Sequence, residues 1–359
     1  MRIQSGQLIG FLPSTRSIQR PISGVKLILS GWILIRQNGQ NEGDMMDSVR
    51  VGVIGCGGRG RGHIRTLDGF EDVHLAAVCD PVVDIRESVC EDYGIEGQYG
   101  DVSALLEGEA LDAVFVAPPA HLNATLALPC LEAGVNTFLE KPPGLSLKET
   151  EALKAASDET GAKAMVGWNR RFHPIIVEAR DLVLDRGPVT QLVGEFHKSI
   201  TELGNSGKFA EVLMDCMLFE TPIHAIDTIR FLADADVSEV HSVVQRSMSG
   251  YRDVHAALVA FENGVVAQLI HNYTTNARLE RYEIHGHEIS AYMEGVSRGE
   301  VFCDGEKREL SGDGSGTDEQ NRFFIDCVKE DRPVALPAAN LDEAIKTMEL
   351  AEAIMAGTR

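Results

Sequence analysis

From Ser48 to about Trp168 short apolar runs alternate with stretches whose apolar positions recur every three to four residues. The runs Val51–Ile54, Val73–Cys79 (with its strand at Leu75–Cys79), Asp112–Ala117, Val135–Leu139 and Ala164–Gly167 are apolar on both faces, which suits buried parallel strands. Between them the spacing predicts a helix over Asn123–Ala133, closed by Gly134, and another over Ser146–Thr160, closed by Gly161. This βα alternation with short loops predicts a parallel, doubly wound sheet with right-handed crossovers.

After Trp168 the pattern changes. Ile175–Leu184 keeps helical spacing and stops at Arg186-Gly187-Pro188. Period-two alternation follows in Gln191–Phe196, Val240–Val244, His255–Phe261, Val265–His271, Arg281–Ile284 and Val301–Cys303. Glu262-Asn263-Gly264 is a hairpin signal. Asp318–Lys329 and Leu341–Ala356 again look helical, and Ser311–Gly316 reads as a loop. The second half is expected to be an α/β unit with a large, open, mostly antiparallel sheet covered on one face. The expected domains are residues 46–168 and 169–359, with residues 1–45 outside both.

The first strand runs into Gly55-Cys56-Gly57-Gly58-Arg59-Gly60, a Gly-x-Gly-x-x-Gly turn, and Asp80 stands twenty residues past the third glycine at the end of the second strand. Gly55 permits the tight turn, Gly57 lets backbone approach a pyrophosphate, and Gly60 lets helix and strand pack closely. The helix N-terminus, with Gly58 and Arg59, offers N–H groups to phosphates. Asp80 would accept hydrogen bonds from a ribose diol, favouring NAD over NADP, although Arg59 and Arg86 soften that preference. A tight βα turn without a ligand is the competing reading.

Further candidates lie just past strand ends, where open α/β sheets bind ligands. Pro118 follows the third of these strands. Glu140-Lys141-Pro142-Pro143 follows the next and puts Lys141 at the crevice as a proton donor or acceptor. Pro142 is a candidate for a cis bond. Thr221-Pro222 marks a helix start with His224 in its first turn, where the dipole disfavours the imidazolium. Asp227, one turn on, either orients that ring or faces solvent. Arg170-Arg171 at the junction of the two patterns either bind an anion or form structural ion pairs.

Composition narrows the functional classes. The chain has 359 residues and a formal charge of −21, a poor match to nucleic acid or an anionic membrane. Its seven cysteines are scattered without a Cys-x-x-Cys pair, so neither a zinc site nor a disulfide framework is indicated and no metal is expected. A reducing cytoplasm fits best. The first 45 residues are basic (Arg2, Arg16, Arg20, Lys26 and Arg36 against Glu42 and Asp44), and their apolar stretch Val25–Ile35 is too short to span a bilayer. With Met45-Met46 just before the first strand, the expectation is a start assigned too early, the alternative being a leader.

Together, Gly55–Gly60, Asp-Ala-Val-Phe-Val-Ala-Pro-Pro at 112–119, Leu131–Gly134, Glu140-Lys141-Pro142, Asn169–Phe172 and His224 with Asp227 resemble the Gfo/Idh/MocA family of NAD(P)-dependent oxidoreductases. The resemblance runs from about Val49 to the C-terminus. It implies a Rossmann domain followed by an α/β domain whose open sheet forms homodimers or homotetramers. It implies NAD, with NADP as the alternative, and places Asn123 and Glu140 among the cofactor contacts. Lys141 is expected to contact both nicotinamide ribose and substrate, and His224 to act as base. The substrate, a sugar, sugar derivative or cyclitol oxidised at a secondary alcohol, is expected between Lys141, Arg171, Glu220 and His224. Two positions depart from the common pattern: Glu220 stands where many members carry aspartate, and Asn123 where many carry histidine. A redox-neutral NAD-using glycosidase or epimerase and a non-catalytic dinucleotide sensor are the alternative functions.

Overall fold

A computed structural model describes residues 48–205 and 210–357; the expectations for residues 1–45 lie outside the described residues. The apolar runs of the first half form a six-stranded parallel sheet from β1 (Val49–Ile54), β2 (Val73–Cys79), β3 (Gly97–Tyr99), β4 (Ala113–Val116), β5 (Asn136–Leu139) and β6 (Ala164–Val166), in the order β3-β2-β1-β4-β5-β6. Outward progression reverses between β1 and β4, so a crevice opens beyond their carboxyl ends. Val51, Val53, Phe115 and Phe138 are buried, as strands covered on both faces require. Two helices absent from the sequence reading, Val83–Tyr93 and Val102–Gly108, complete the crossovers. Helices at Asn123–Glu132 and Leu147–Thr160 match the expected pair. Ser146 caps the second by accepting from Glu149 N, and Gly161 ends it in the left-handed region.

The second half forms an eight-stranded sheet from β7 (Gln191–Ser199), β8 (Val237–Gln245), β9 (Val254–Phe261), β10 (Val266–Asn272), β11 (Thr274–Gly286), β12 (Ile289–Glu294), β13 (Arg298–Cys303) and β14 (Glu306–Leu310), in the order β14-β13-β12-β11-β7-β10-β9-β8. All pairs are antiparallel except β10 with β7. Helices Pro174–Arg186, Ile223–Ala233 and Leu341–Met355 cover one face. The other face carries exposed Val243, Leu258, Val266, Tyr292 and Phe302. The chain then returns to the parallel sheet. Helix Thr317–Lys329 packs on helix Gly58–Asp68, with Phe324 edge-on to Phe115 and Phe138. Among the described residues no helix is long and apolar enough to cross a membrane, and no group of His, Cys, Asp or Glu is placed to hold a metal ion. All seven cysteines are unpaired.

Candidate active site

The glycine motif folds as its spacing demands. Gly55 has φ +88°, and a Cβ there would sit 2.7 Å from Pro118 N. A Cβ on Gly60 would lie 1.8 Å from the Gly55 carbonyl oxygen, so only glycine lets the helix start this close to β1. At Gly57 and Gly58 a Cβ would meet nothing within 4 Å and would project into open space. That space is a cleft of about 680 Å³ lined by Gly55, Gly57, Gly58, Arg59, Asp80 and Pro118, with Val82, Ile85 and Leu122 supplying apolar walls. The unpaired N–H groups of the first turn and a bare glycine floor fit the pyrophosphate of a dinucleotide. Asp80 lines this cleft, and its carboxylate also holds the loop: Oδ2 accepts from Cys56 N at 2.8 Å and Oδ1 from Val82 N at 2.9 Å.

Arg59 and Pro118 also border a second, polar cavity of about 270 Å³, which holds Glu140, Lys141, Arg170, Lys198, Glu220, Thr221, His224 and Arg278. Glu140 is buried at the end of β5. His63 Nε2 lies 3.1 Å from its Oε1, and Arg59 Nε 3.8 Å away. Burial alone would raise the Glu140 pKa, but His63, Arg59 and Lys141 outweigh it and hold the group at about 2. The Lys141–Pro142 bond is cis. Lys141 Nζ donates to the Glu220 carbonyl oxygen at 2.6 Å and stands 3.5 Å from Glu220 Oε1. Glu220 also faces Lys198, at 3.7 Å, and accepts the Thr221 hydroxyl. Lys198 Nζ donates to Thr221 Oγ1 at 2.7 Å.

His224 sits in the first turn of helix Ile223–Ala233 and is 3 % exposed. The helix starts one residue later than Thr221-Pro222 implied, with Pro222 at its N-cap. Burial drives the His224 pKa well below the ordinary value, and the cations Arg170, Lys141, Arg59 and Arg278 push it further. The ring is therefore neutral at pH 7, and its Nδ1 has no hydrogen-bond partner among the described residues.

Three expectations need correction. Arg171 does not reach the cavity; it is fully buried, bonded through Nε and Nη2 to Asp227 at 2.9 and 2.8 Å and to Glu343 at 3.2 Å. Its neighbour Arg170 lines the cavity instead, because the single 3₁₀ turn Asn169–Phe172 points consecutive side chains in different directions. Asp227 therefore neither orients His224 nor faces solvent; it neutralises Arg171 inside the core. Asn123 is fully buried and makes no cofactor wall. Its Nδ2 donates to the carbonyl oxygens of Glu140 and Pro142 at 2.9 and 2.8 Å, bracing the peptide that carries Lys141.

The sequence reading also missed His63, Lys198 and Arg278. His63 had a visible signal, a polar residue on the same helix face as Ile64 and Leu67. Arg278 had none, since it lies where the pairing of β11 with β7 shifts register between Thr274 and Leu279.

The family model described as an oxidoreductase family with an NAD-binding Rossmann fold matches residues 49–168, and the GFO/IDH/MocA C-terminal domain matches residues 185–292. The chain belongs to the Gfo/Idh/MocA family of oxidoreductases. A Gfo/Idh/MocA relative, scyllo-inositol 2-dehydrogenase (NAD(+)) of Bacillus subtilis, is 28 % identical over 319 residues, covering 79 % of this chain and 87 % of that protein. Inositol 2-dehydrogenase of Rhizobium meliloti is 26 % identical, covering 67 % and 73 %. The solved UDP-N-acetylglucosamine 3-dehydrogenase of Acidithiobacillus ferrooxidans superposes with a TM-score of 0.74 at 21 % identity, over 87 % of this chain and 98 % of that one, and so shares the fold. Residues 49–168 are thus an NAD-binding Rossmann domain, and the parallel and antiparallel sheets are the expected pair.

Proposed function

We propose that this protein is an NAD-dependent dehydrogenase that oxidises a secondary alcohol of a sugar, sugar derivative or cyclitol. The observation that carries this reading is that Lys141 and His224 line one polar cavity that shares Arg59 and Pro118 with the NAD cleft. Bound NAD supplies a hydride acceptor, and the chain's own residues do the rest. The neutral imidazole of His224 accepts the hydroxyl proton. Lys141, anchored on Glu220, directs its remaining N–H groups at the oxygen and stabilises the negative charge that develops there. Glu140 and Asn123 hold the Lys141 backbone, and Glu220 in place of the common aspartate still reaches Lys141. Residues 46–168 hold the cofactor in this reading, and residues 169–359 shape the substrate cavity.

The same reading places the protein in the cytoplasm, supported by seven unpaired cysteines. It also has copies meet through the open face of the large sheet, supported by the exposed Leu258, Val266, Tyr292 and Phe302.

The test is absorbance at 340 nm with NAD and a panel of hexoses, aminosugars, sugar acids and inositols. Wild type should form NADH with one substrate class. Lys141→Met and His224→Asn should each lose about a hundredfold or more, the scale of a lost oxyanion donor or general base. A flat trace across the panel, with NAD bound, refutes the reading.

A further inference from the structure

The Lys141 ammonium takes its place from a backbone carbonyl. Nζ donates to the Glu220 carbonyl oxygen at 2.6 Å, with Glu220 Oε1 further off at 3.5 Å. Glu220 ends a helix of four residues, Met217–Glu220. A single helical turn fixes many dihedrals for almost no internal bonding, so it has no stable geometry of its own. What holds this turn from outside therefore decides where the ammonium points.

Two polar anchors reach the turn, both from the second half of the chain. Tyr273, between β10 and β11, is 1 % exposed and donates its hydroxyl to the Met217 carbonyl oxygen at 2.8 Å. Its ring packs with Met217, Ile200 and Tyr251. Burial, and then the Glu220 charge, holds its phenol well above the ordinary range, so it keeps the proton it donates. The second anchor is Asp215, just ahead of the turn. It accepts from Arg252 Nη2 at 2.7 Å and from Arg252 N at 3.2 Å, and Arg246 Nη1 stands 2.8 Å away. Arg252, and then Arg246, holds the Asp215 carboxyl at about 2, so it stays charged.

Asp253 joins the two anchors. It is fully buried just before β9. Its carboxylate accepts from the backbone N of Ser247, Met248 and Ser249 at 2.7, 2.9 and 2.9 Å, which shapes the loop that carries Arg246 and Arg252. Its carbonyl oxygen accepts from Tyr273 N at 2.8 Å. One buried residue thus sets both the phenol and the arginines.

We propose that Tyr273 is a positioning residue for the reaction: through the Met217 carbonyl it fixes the Met217–Glu220 turn, and through the Glu220 carbonyl it fixes the Lys141 ammonium against the substrate oxygen. The inference rests on the dehydrogenase reading. Tyr273 does not line the polar cavity, so its effect on the chemistry passes through the turn.

The experiment uses the NAD-loaded full chain and Tyr273→Phe, which removes the hydroxyl and keeps the ring. Arg252→Gln, at a side chain 34 % exposed, loosens the second anchor and carries the test of the turn should Tyr273→Phe fold poorly. Limiting acetic anhydride labels lysines in competition, and peptide mass spectrometry gives the rate at Lys141 against the exposed Lys148. Either variant should raise the Lys141 rate at least threefold. With the alcohol that wild type oxidises, kcat should fall about three- to tenfold, the worth of one neutral hydrogen bond, at unchanged Kd for NAD. A role in stability alone lowers Tm and moves neither the labelling of the folded protein nor its kcat. Unchanged labelling of Lys141 overturns the proposal whatever kcat does. Faster labelling with wild-type kcat also overturns it and leaves the dehydrogenase standing. If no alcohol is oxidised, the dehydrogenase reading falls, and the labelling alone decides whether Tyr273 sets the Lys141 ammonium.

Discussion

Alanine at Gly57 and alanine at Gly60 should fail in different ways, because the two positions face opposite surroundings. At Gly60 the new Cβ would meet the Gly55 carbonyl oxygen at 1.8 Å, so strand and helix must part by at least 1.2 Å to reach even 3.0 Å. Backbone cannot swing aside as a side chain does, so the cost lies at the upper end of the overpacking range, about 3 kcal/mol. For a chain of this size, with an unfolding entropy of about 0.7 kcal/mol per degree, that lowers Tm by roughly 4 °C. The displaced turn also spoils the N–H array, so NAD affinity falls too. At Gly57 the Cβ meets nothing within 4 Å, so Tm should stay within about 2 °C of wild type by the same conversion. That methyl group projects into the cleft where the pyrophosphate approaches, and NAD should bind at least tenfold more weakly, about 1.4 kcal/mol. Differential scanning calorimetry gives Tm, and titration calorimetry with NAD gives affinity. Wild-type NAD affinity in Gly57→Ala would show that the phosphates lie elsewhere. Wild-type Tm in Gly60→Ala would show that the strand–helix contact is looser than the structure has it.

Asp227→Ala removes the bidentate partner of the buried Arg171 and leaves it Glu343 at 3.2 Å, and should cost about 3 kcal/mol, roughly 4 °C in Tm; an unchanged Tm with a shifted pH–rate profile would instead make Asp227 a partner of the imidazole. The acid limb of kcat/KM should lie below pH 6.5, since His224 is held below that value, and should move up in Arg278→Gln, which removes one of the depressing charges; an unmoved limb would remove His224 as the titrating base. Stability should be full above about pH 6.5 and fall as pH drops toward 4, because buried histidines with lowered pKa take up protons first in the unfolded chain. His255 is fully buried and held at about 4, chiefly by burial and then by Arg252, so His255→Leu should flatten the slope of urea stability against pH by about 1.4 kcal/mol per unit in that window. Equal slopes for the two proteins would place the acid sensitivity elsewhere.

The parallel sheet was legible because each strand is buried on both faces and reads as an unbroken apolar run. The sheet of the second half was legible wherever one face is covered, as in His255–Phe261, where every other residue is buried. It faded at β12 and β14, which are short and carry charge on their open faces. Glu306-Lys307-Arg308-Glu309 pairs with β13 through the ladder and the Lys307–Glu300 ion pair and shows no hydrophobic period. In the site, Gly55, Gly60 and Lys141 were legible because local geometry forces them. Arg170 and Arg171 were not separable, since their contrast is set by one 3₁₀ turn and by Glu280 and Asp227, which lie 110 and 56 residues away in sequence. Arg278 and Lys198 reach the cavity through strand pairing between distant segments, and no local pattern marks that.

Lys141 links the parallel sheet to the helix that carries His224. Its backbone lies just past β5 of the parallel sheet: Asn123 holds the Glu140 and Pro142 carbonyl oxygens, and His63 fixes Glu140 from the helix that starts at the glycine motif. Its ammonium is held from the other side by the Glu220 carbonyl, four residues before His224. One side chain therefore ties the end of β5 to the start of the helix that carries His224. Any change in the spacing of the two sheets alters the Lys141–Glu220 contact and the approach of His224 together. His63 extends the coupling, since its Nδ1 lies 3.1 Å from Asn321 Oδ1 on helix Thr317–Lys329. The helix of the glycine motif, the Glu-Lys-Pro peptide and helix Thr317–Lys329 are thus joined through His63 by two buried polar contacts, in an interior where each such contact is strong when made and costly when broken.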